Sequence, residues 1–535
     1  LLIEKAPSRP ALYDDLFLAS QVLLRPGVAD TQATLARQLS GGSGESGRLF
    51  RQSLNEARQV EALRVELARL AAIDGPTAQD RAGIAVDRAQ IDALGAEQSA
   101  TQAKLAAFPA YRAIATQALT LAALRAALHP GEAYWKLTIV GRSIYGLYVT
   151  PGDTKAWKLK ITPAELAGRV DAIRDTIAVI EDGRTVTFPF DVTVARALYV
   201  DLAGPVAVDL PHVHHLIFEP DGAMLKLPVS LLVTEQAGAD RYIKRIKEPK
   251  ADPFDMTGIA WLGASTDVST ALSVRAFRDV RATAPSTAPR TYLGFGHNAP
   301  VPAFMQLTSL SAPTGSIDCR WPLTSWSRPI AADELVRAQQ AIGARQAVIE
   351  TDAAFTDSDI VGRSDLSSYR ILHFATHGLV TAPRPQCPAQ PALLTSFGTA
   401  GSDGLLSFSE IYGLQLDADL VVLSACDTAG TADVAVTRAA GVTTGGGNAL
   451  DGLVRAFIGA GGRSVLASHW PAPDDYHATE QLIGGLFSAP RGTSVAEALR
   501  LAQRKLMATP ATSHPYYWAG FALIGDGAQP VLRDR

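Results

Sequence analysis

Cysteine is scarce in this chain of 535 residues: only Cys319, Cys387 and Cys426 occur. Three thiols cannot build a disulfide framework, and a working free thiol favours a reducing compartment, so the expectation is cytoplasmic. An excess of charge of one sign is lacking too. The formal net charge of −4 removes the electrostatic ground for binding nucleic acid. No apolar run is long enough to span a bilayer. The best candidate, residues 113–124, holds Thr116 and Gln117 and is flanked by Arg112 and Arg125. No secretory signal is visible, and the start at Leu1 rather than Met leaves room for an upstream segment. No phosphate loop or dinucleotide fingerprint follows a strand, because Gly445-Gly446-Gly447 is only a glycine run. No cofactor is therefore expected. What remains is an ordinary globular balance, 47% hydrophobic and 19% charged, long enough for roughly two to four domains.

The chain changes character along its length. Residues 1–128 are rich in Ala, Leu, Arg and Gln. Val60, Leu63, Leu67 and Leu70 step at helical spacing, and Ile84, Ile91, Leu94, Leu105 and Phe108 continue a similar stripe. Asp74-Gly75-Pro76-Thr77 breaks the two stripes, which predicts an antiparallel helical hairpin. Ser40-Gly41-Gly42-Ser43-Gly44 reads as a linker ahead of it. Such an arm either binds a regulatory partner or simply packs. Past Pro130-Gly131 the pattern predicts strands at 134–140, 144–150 and 156–161, then a helix capped by Thr162 with Pro163 and Glu165 behind it. Further strands are expected at 215–218 and 291–295, and a helix at 331–342. From Tyr369 onward, strands at 370–375, 418–424 and 462–468 alternate with helices at 447–459, 478–487 and 494–507. Alternation of this kind predicts an α/β fold, a mostly parallel sheet flanked by helices.

Two of these apolar strands end in reactive side chains. Ile371-Leu372-His373-Phe374-Ala375-Thr376 leads into His377-Gly378, and Leu420-Val421-Val422-Leu423-Ser424-Ala425 leads into Cys426. Residues at the carboxyl ends of parallel strands line the crevice where α/β sheets bind ligands. A cysteine attacks as thiolate, and a nearby histidine lowers its pKa and later protonates a leaving amine. Backbone N–H groups of Gly378 and Cys426 can then face an oxyanion. Taken singly, a buried cysteine is usually an inert small hydrophobe. It is the matched placement of the two residues that points to cysteine-protease chemistry.

At these motifs the chain resembles the CHAT domain, a caspase- and separase-like peptidase domain often joined to tetratricopeptide repeats. Leu372-His373-Phe374-Ala375-Thr376-His377-Gly378 is similar to the histidine motif of that family, and Leu420–Thr428 to its cysteine motif. Gly452–Phe457, Ala460–Val465, Trp470, Ala498–Gln503 and His514–Phe521 follow in the same order, with weaker features reaching back to about residue 130. The resemblance implies a caspase-like fold of two halves, a pseudo-caspase half at 129–290 and an active half at 291–535. It implies His377 as general base, Cys426 as nucleophile, and Gly378 with Cys426 as oxyanion hole. The dyad's spacing of 49 residues is close to the roughly 50 of caspases. Two departures concern the cleft: Gly447-Asn448-Ala449 replaces the usual Gly-Glu-Gly, and the Thr-, Ala- and Gly-rich stretch 427–447 is long.

Specificity is read from Trp470-Pro471-Ala472-Pro473-Asp474-Asp475, which resembles the separase arrangement of an aspartate accepting a basic P1 residue. Asp474 is the first candidate for that role, with Asp475 and Asp427 as alternatives, and His469 and Trp470 as further cleft residues. The competing reading is that Asp474 caps the next helix. Arg438, within Thr437-Arg438-Ala439-Ala440, is a candidate for self-cleavage. His373 is expected in the core, one strand face away from the site. His212, His214 and His215 cluster without acidic or thiol partners at ligand spacing, so no metal site is expected. The partners implied are a protein or peptide substrate and a regulatory protein reached through the helical arm or an upstream region. The alternative to an endopeptidase is a catalytically silent scaffold that binds a partner peptide.

Overall fold

A computed structural model describes residues 11–22, 44–71, 77–105, 108, 118–181, 184–301, 321, 323–343, 345–379, 391–398, 402–426, 447–470, 473 and 475–533. They divide into two compact units, one from residues 29–116, the other from 1–28 together with 117–535.

The smaller unit is the expected hairpin, formed by helices Glu45–Ala71 and Ala78–Leu105. Leu49, Val60, Leu70 and Leu105 are buried along its seam. A polar clasp crosses the seam: the Thr101 hydroxyl donates to Glu56 Oε1 at 3.0 Å, and Gln52 donates to both residues. The linker at 40–43 and the break at 74–76 lie outside the described residues. The hairpin is shorter than the expected arm. Helices Leu12–Val22 and Leu121–Ala127 belong to the large unit, where Phe17, Leu121 and Leu124 pack with Tyr134, Val149, Ile217 and Phe277. Burial of that apolar face, which local spacing does not reveal, decides the assignment.

The large unit is built on one mixed sheet. Its strands are β1 (Glu132–Val140), β2 (Ser143–Val149), β3 (Thr154–Lys158), β6 (His215–Glu219), β7 (Asp267–Thr270), β8 (Arg290–Asn298), β9 (Ala347–Asp352), β10 (Tyr369–Leu379), β11 (Ala392–Leu394), β12 (Leu405–Ser407), β13 (Ala418–Cys426), β14 (Gly462–Ser468) and β15 (Phe521–Gly525). Strands β4 (Val179–Glu181) and β5 (Arg184–Val186) form a separate small pair. Among the described residues the sheet order is β12-β11-β10-β13-β14-β15-β7-β6-β1-β2-β3, with β8 beside β10 and β9 beside β8.

Strands β8, β9, β10, β13 and β14 run parallel. At β14 the direction reverses, because β15 is antiparallel to it. Strands β7, β6 and β1 then follow β15 in parallel. The carboxyl ends of the later strands therefore lie on one edge of the sheet, and those of β6 and β7 on the opposite edge. In the central strands β10 and β13, residues 371–376 and 420–424 are buried on both faces.

Local signals act as expected at several points. Thr162 and Glu165 form a reciprocal capping box ahead of helix Pro163–Ile177, which buries Leu166, Val170, Ile173 and Ile177 at i, i+4, i+7 and i+11. Gly461 joins helix Gly447–Ala460 to β14 with φ +117, and a Cβ there would lie 2.1 Å from the carbonyl oxygen of Leu416. Gly461→Ala is therefore expected to cost about 2 kcal/mol or more through backbone displacement. Thermal unfolding measures it, and an unchanged midpoint would contradict the close approach.

Candidate active site

Register brings the two reactive residues together. Between β10 and β13, Ile371 pairs with Leu420 and the ladder continues without slip to His377 opposite Cys426. Neighbouring strands lie about 4.8 Å apart, so the two are adjacent backbone positions at the carboxyl edge. Both strands run further than their apolar stretches suggest. β10 continues to Leu379 because Gly378 and Leu379 pair with Leu393 and Ala392 of β11.

His377 is half-buried, and its Nε2 lies 2.6 Å from the carbonyl oxygen of Arg328. A carbonyl only accepts, so Nε2 carries the proton and Nδ1 is left as the basic nitrogen. The segment that carries this carbonyl is anchored two residues earlier, at Trp326. Trp326 donates its indole N–H to Thr395 O at 2.8 Å, and Asn298 donates to Trp326 O at 3.0 Å. Sequence reasoning missed Arg328, and no signal could have revealed it, because the contribution comes from a peptide oxygen that every residue carries.

His373 is fully buried, as expected, yet it does not lie on the opposite face. Strand alternation puts positions 373, 375 and 377 on one side, with positions 424 and 426 beside them in register. Its Nδ1 meets the Tyr292 hydroxyl at 2.8 Å and its Nε2 meets Glu334 Oε1 at 3.1 Å. Burial pushes the Tyr292 phenol well above its usual range. Phe374, on the other face, stacks on Phe295 and packs against Phe457.

The remaining candidates are scattered. Gly378 is buried at the end of β10. Asp427, Asp474 and Arg438 lie outside the described residues, as do Cys319 and Cys387. Asp475 is exposed and opens a short turn in which Tyr476 and His477 adopt left-handed conformations, φ 55° and 52°. The N-cap of helix Ala478–Phe487 is His477, in a left-handed conformation and without a side-chain cap hydrogen bond.

His469 and Trp470 are closed off. Trp470 donates its indole N–H to Tyr516 O at 3.0 Å, and Arg174 stacks 5.8 Å from its ring. His469 borders an apolar cavity with Phe218, Met224, Leu227, Val454 and Ile524. Burial, and then the charge of Arg174, holds its pKa down to about 3, so it stays neutral at ordinary pH. Both side chains are buried, at 7% and 1% exposure. His215, of the histidine cluster, is buried between Glu132 at 3.0 Å and Ser269 at 2.9 Å.

Together these features define an α/β protein with cysteine and histidine at the carboxyl ends of neighbouring parallel strands, the histidine oriented by a peptide carbonyl. The chain belongs to the CHAT domain family, whose family model matches residues 192–526. Over 122 residues it is 34% identical to tetratricopeptide repeat protein 28 of Homo sapiens, and to the same degree to that of Mus musculus. That stretch is 23% of this chain but 4% of each relative, so the chain matches a small part of their length. Among solved structures it is similar to separase in the Saccharomyces cerevisiae separase–securin complex, with 8% identity, TM-score 0.37, and coverage of 94% of this chain and 40% of that one. It is also similar to the Arg-specific cysteine proteinase gingipain R, with 9% identity, TM-score 0.32, and coverage of 69% and 75%. No helix among the described residues is long and apolar enough to cross a membrane.

Proposed function

We propose that the chain is a cysteine endopeptidase that hydrolyses protein substrates through Cys426 and His377. The observation that carries this reading is the register of β10 and β13, which sets His377 directly opposite Cys426 at the carboxyl edge. The Arg328 carbonyl supports it by leaving Nδ1 of His377 unprotonated. In the reaction, Nδ1 takes the thiol proton and the thiolate attacks the scissile carbonyl. The Gly378 and Cys426 N–H groups stabilise the oxyanion. The imidazolium then protonates the leaving amine, and water hydrolyses the thioester.

In this reading residues 291–535 form the active half, and 129–290 a half without the dyad. Asp474 selects a basic P1 side chain, because a sheltered carboxylate rejects an apolar residue that leaves it uncompensated. The helical hairpin is the seat of a regulatory protein.

A mixed-P1 peptide library tests the reading. Cleavage after Arg or Lys is expected. Equal cleavage after Arg, Leu and Asp removes the acidic selector while keeping the dyad. Absence of cleavage, together with Cys426 reacting with a peptidyl electrophile no faster than Cys319 and Cys387, would count against the endopeptidase and favour a peptide-binding scaffold or an enzyme switched on only by a partner.

A further inference from the structure

A buried carboxylate lies behind the candidate dyad. Glu334, in the first turn of helix Asp333–Ile342, is only 6% exposed. Its Oε1 is 3.1 Å from Nε2 of His373, and its Oε2 accepts a hydrogen bond from the Ser424 hydroxyl at 2.8 Å. His373 is in turn 2.8 Å from the Tyr292 hydroxyl through Nδ1. One proton arrangement satisfies every atom: Tyr292 donates to Nδ1, and His373 Nε2–H and Ser424 O–H both donate to an ionised Glu334.

The placement of the three anchors is specific. His373 precedes His377 by four residues, two strand periods, on the same face of β10. Ser424 precedes Cys426 by two on the same face of β13. Glu334 follows Arg328, the residue whose carbonyl orients His377, by six residues, at the start of the helix that continues that segment. One side chain thus ties the histidine strand, the cysteine strand and the carbonyl-bearing segment to a common point. An apolar residue could fill the same volume without the cost of desolvating a carboxylate. An apolar residue, however, has no directional bonds with which to set three elements in register.

We infer that Glu334 is the positioning residue of the Cys426–His377 pair, acting through Ser424, His373 and the Arg328 segment; this rests on the endopeptidase reading above. Misplacing either partner raises the thiol pKa toward that of a free cysteine, about 8.5.

The test is the pH–rate profile for alkylation of Cys426 by iodoacetamide, followed by peptide mapping, in the full chain and its Glu334→Gln and Ser424→Ala variants, with thermal unfolding of each. The wild type is expected to react at a rate that stays nearly level down to about pH 6. For Glu334→Gln the rate at pH 6.5 falls about tenfold, as a thiol pKa raised to about 7.5 requires, and approaches the wild-type rate above pH 9. Ser424→Ala, which releases only the cysteine strand, shows a smaller shift in the same direction. A purely structural role would lower the melting temperature and leave the profile unmoved, and that result in a folded variant overturns the inference. If Glu334→Gln does not fold, Ser424→Ala decides by the same criterion. If the wild type itself reacts like a free thiol and His377→Ala changes nothing, the endopeptidase reading falls and takes this inference with it.

Discussion

Cys426→Ala is expected to abolish peptide cleavage, and His377→Ala to lower kcat/KM by about 10²- to 10⁴-fold. The two effects differ in kind. Without the thiol no thioester can form, and only binding and oxyanion stabilisation remain to accelerate the reaction. Without the imidazole the nucleophile survives, but its proton has no acceptor and the amine leaves unprotonated. The His377→Ala defect should shrink at high pH, where solvent deprotonates the thiol, and should be larger for amide than for activated ester substrates, whose leaving groups need no proton. Steady-state kinetics on a matched amide and ester decide the point. Equal losses on both would assign His377 to holding the fold rather than to proton transfer. Because residues that act together are not additive, the double variant should be no worse than Cys426→Ala alone.

Arg281→Met is expected to destabilise the protein by about 3–5 kcal/mol, because it strands two buried carboxylates. The guanidinium, 7% exposed, makes paired bonds to Glu132 at 2.7 and 3.0 Å and meets Asp526 at 2.8 Å, with its charge over the Phe277 ring. This cluster joins the opening of β1 to the turn after β15 and so helps to hold the earlier and later strands as one sheet. Burial alone would raise the Glu132 pKa. Hydrogen bonds from His215 and Arg281, the Arg281 charge and the His129 N–H outweigh it and bring the value down to about 2 from 4.5. A carboxylate whose pKa is depressed on folding contributes stability that is present above pH 4.5 and lost as the pH falls through 2, here about 3 kcal/mol. In Arg281→Met the sign reverses: the uncompensated carboxylates favour protonation, so the deficit should narrow as the pH is lowered from 7 toward 4.5. Urea unfolding at the two pH values measures it. A loss under about 1 kcal/mol, or a deficit independent of pH, would show that the charge of Arg281 is not what the site requires.

Some of this molecule was open to reading from residues alone. The Thr162–Glu165 cap, the helical stripes of the hairpin and the apolar runs before His377 and Cys426 are local patterns, and each formed the element it implied. Glu334 leaves one local sign: it sits at spacing four from Ala338, and Ala338 from Ile342, on a stripe that is otherwise apolar. Short strands such as β9, β11 and β12 were not anticipated, because a run of three to six residues is decided by its neighbours across the sheet rather than by its own propensity. The apolar run by itself closes the strand at Ala375 and so does not show which face His373 shares. Once the strand continues through His377, alternation puts both histidines on one side.

The sequence by itself determined which residues are the candidates for chemistry, since a thiol and an imidazole at the ends of buried strands are written in side-chain identity and short-range pattern. Only the tertiary structure decided that His377 stands in register with Cys426, that the Arg328 carbonyl selects its tautomer, and that Glu334 sits behind both strands. The reason is physical. Register, carbonyl direction and the pairing of a buried carboxylate arise between segments far apart in the chain, and only packing brings those segments within hydrogen-bond reach.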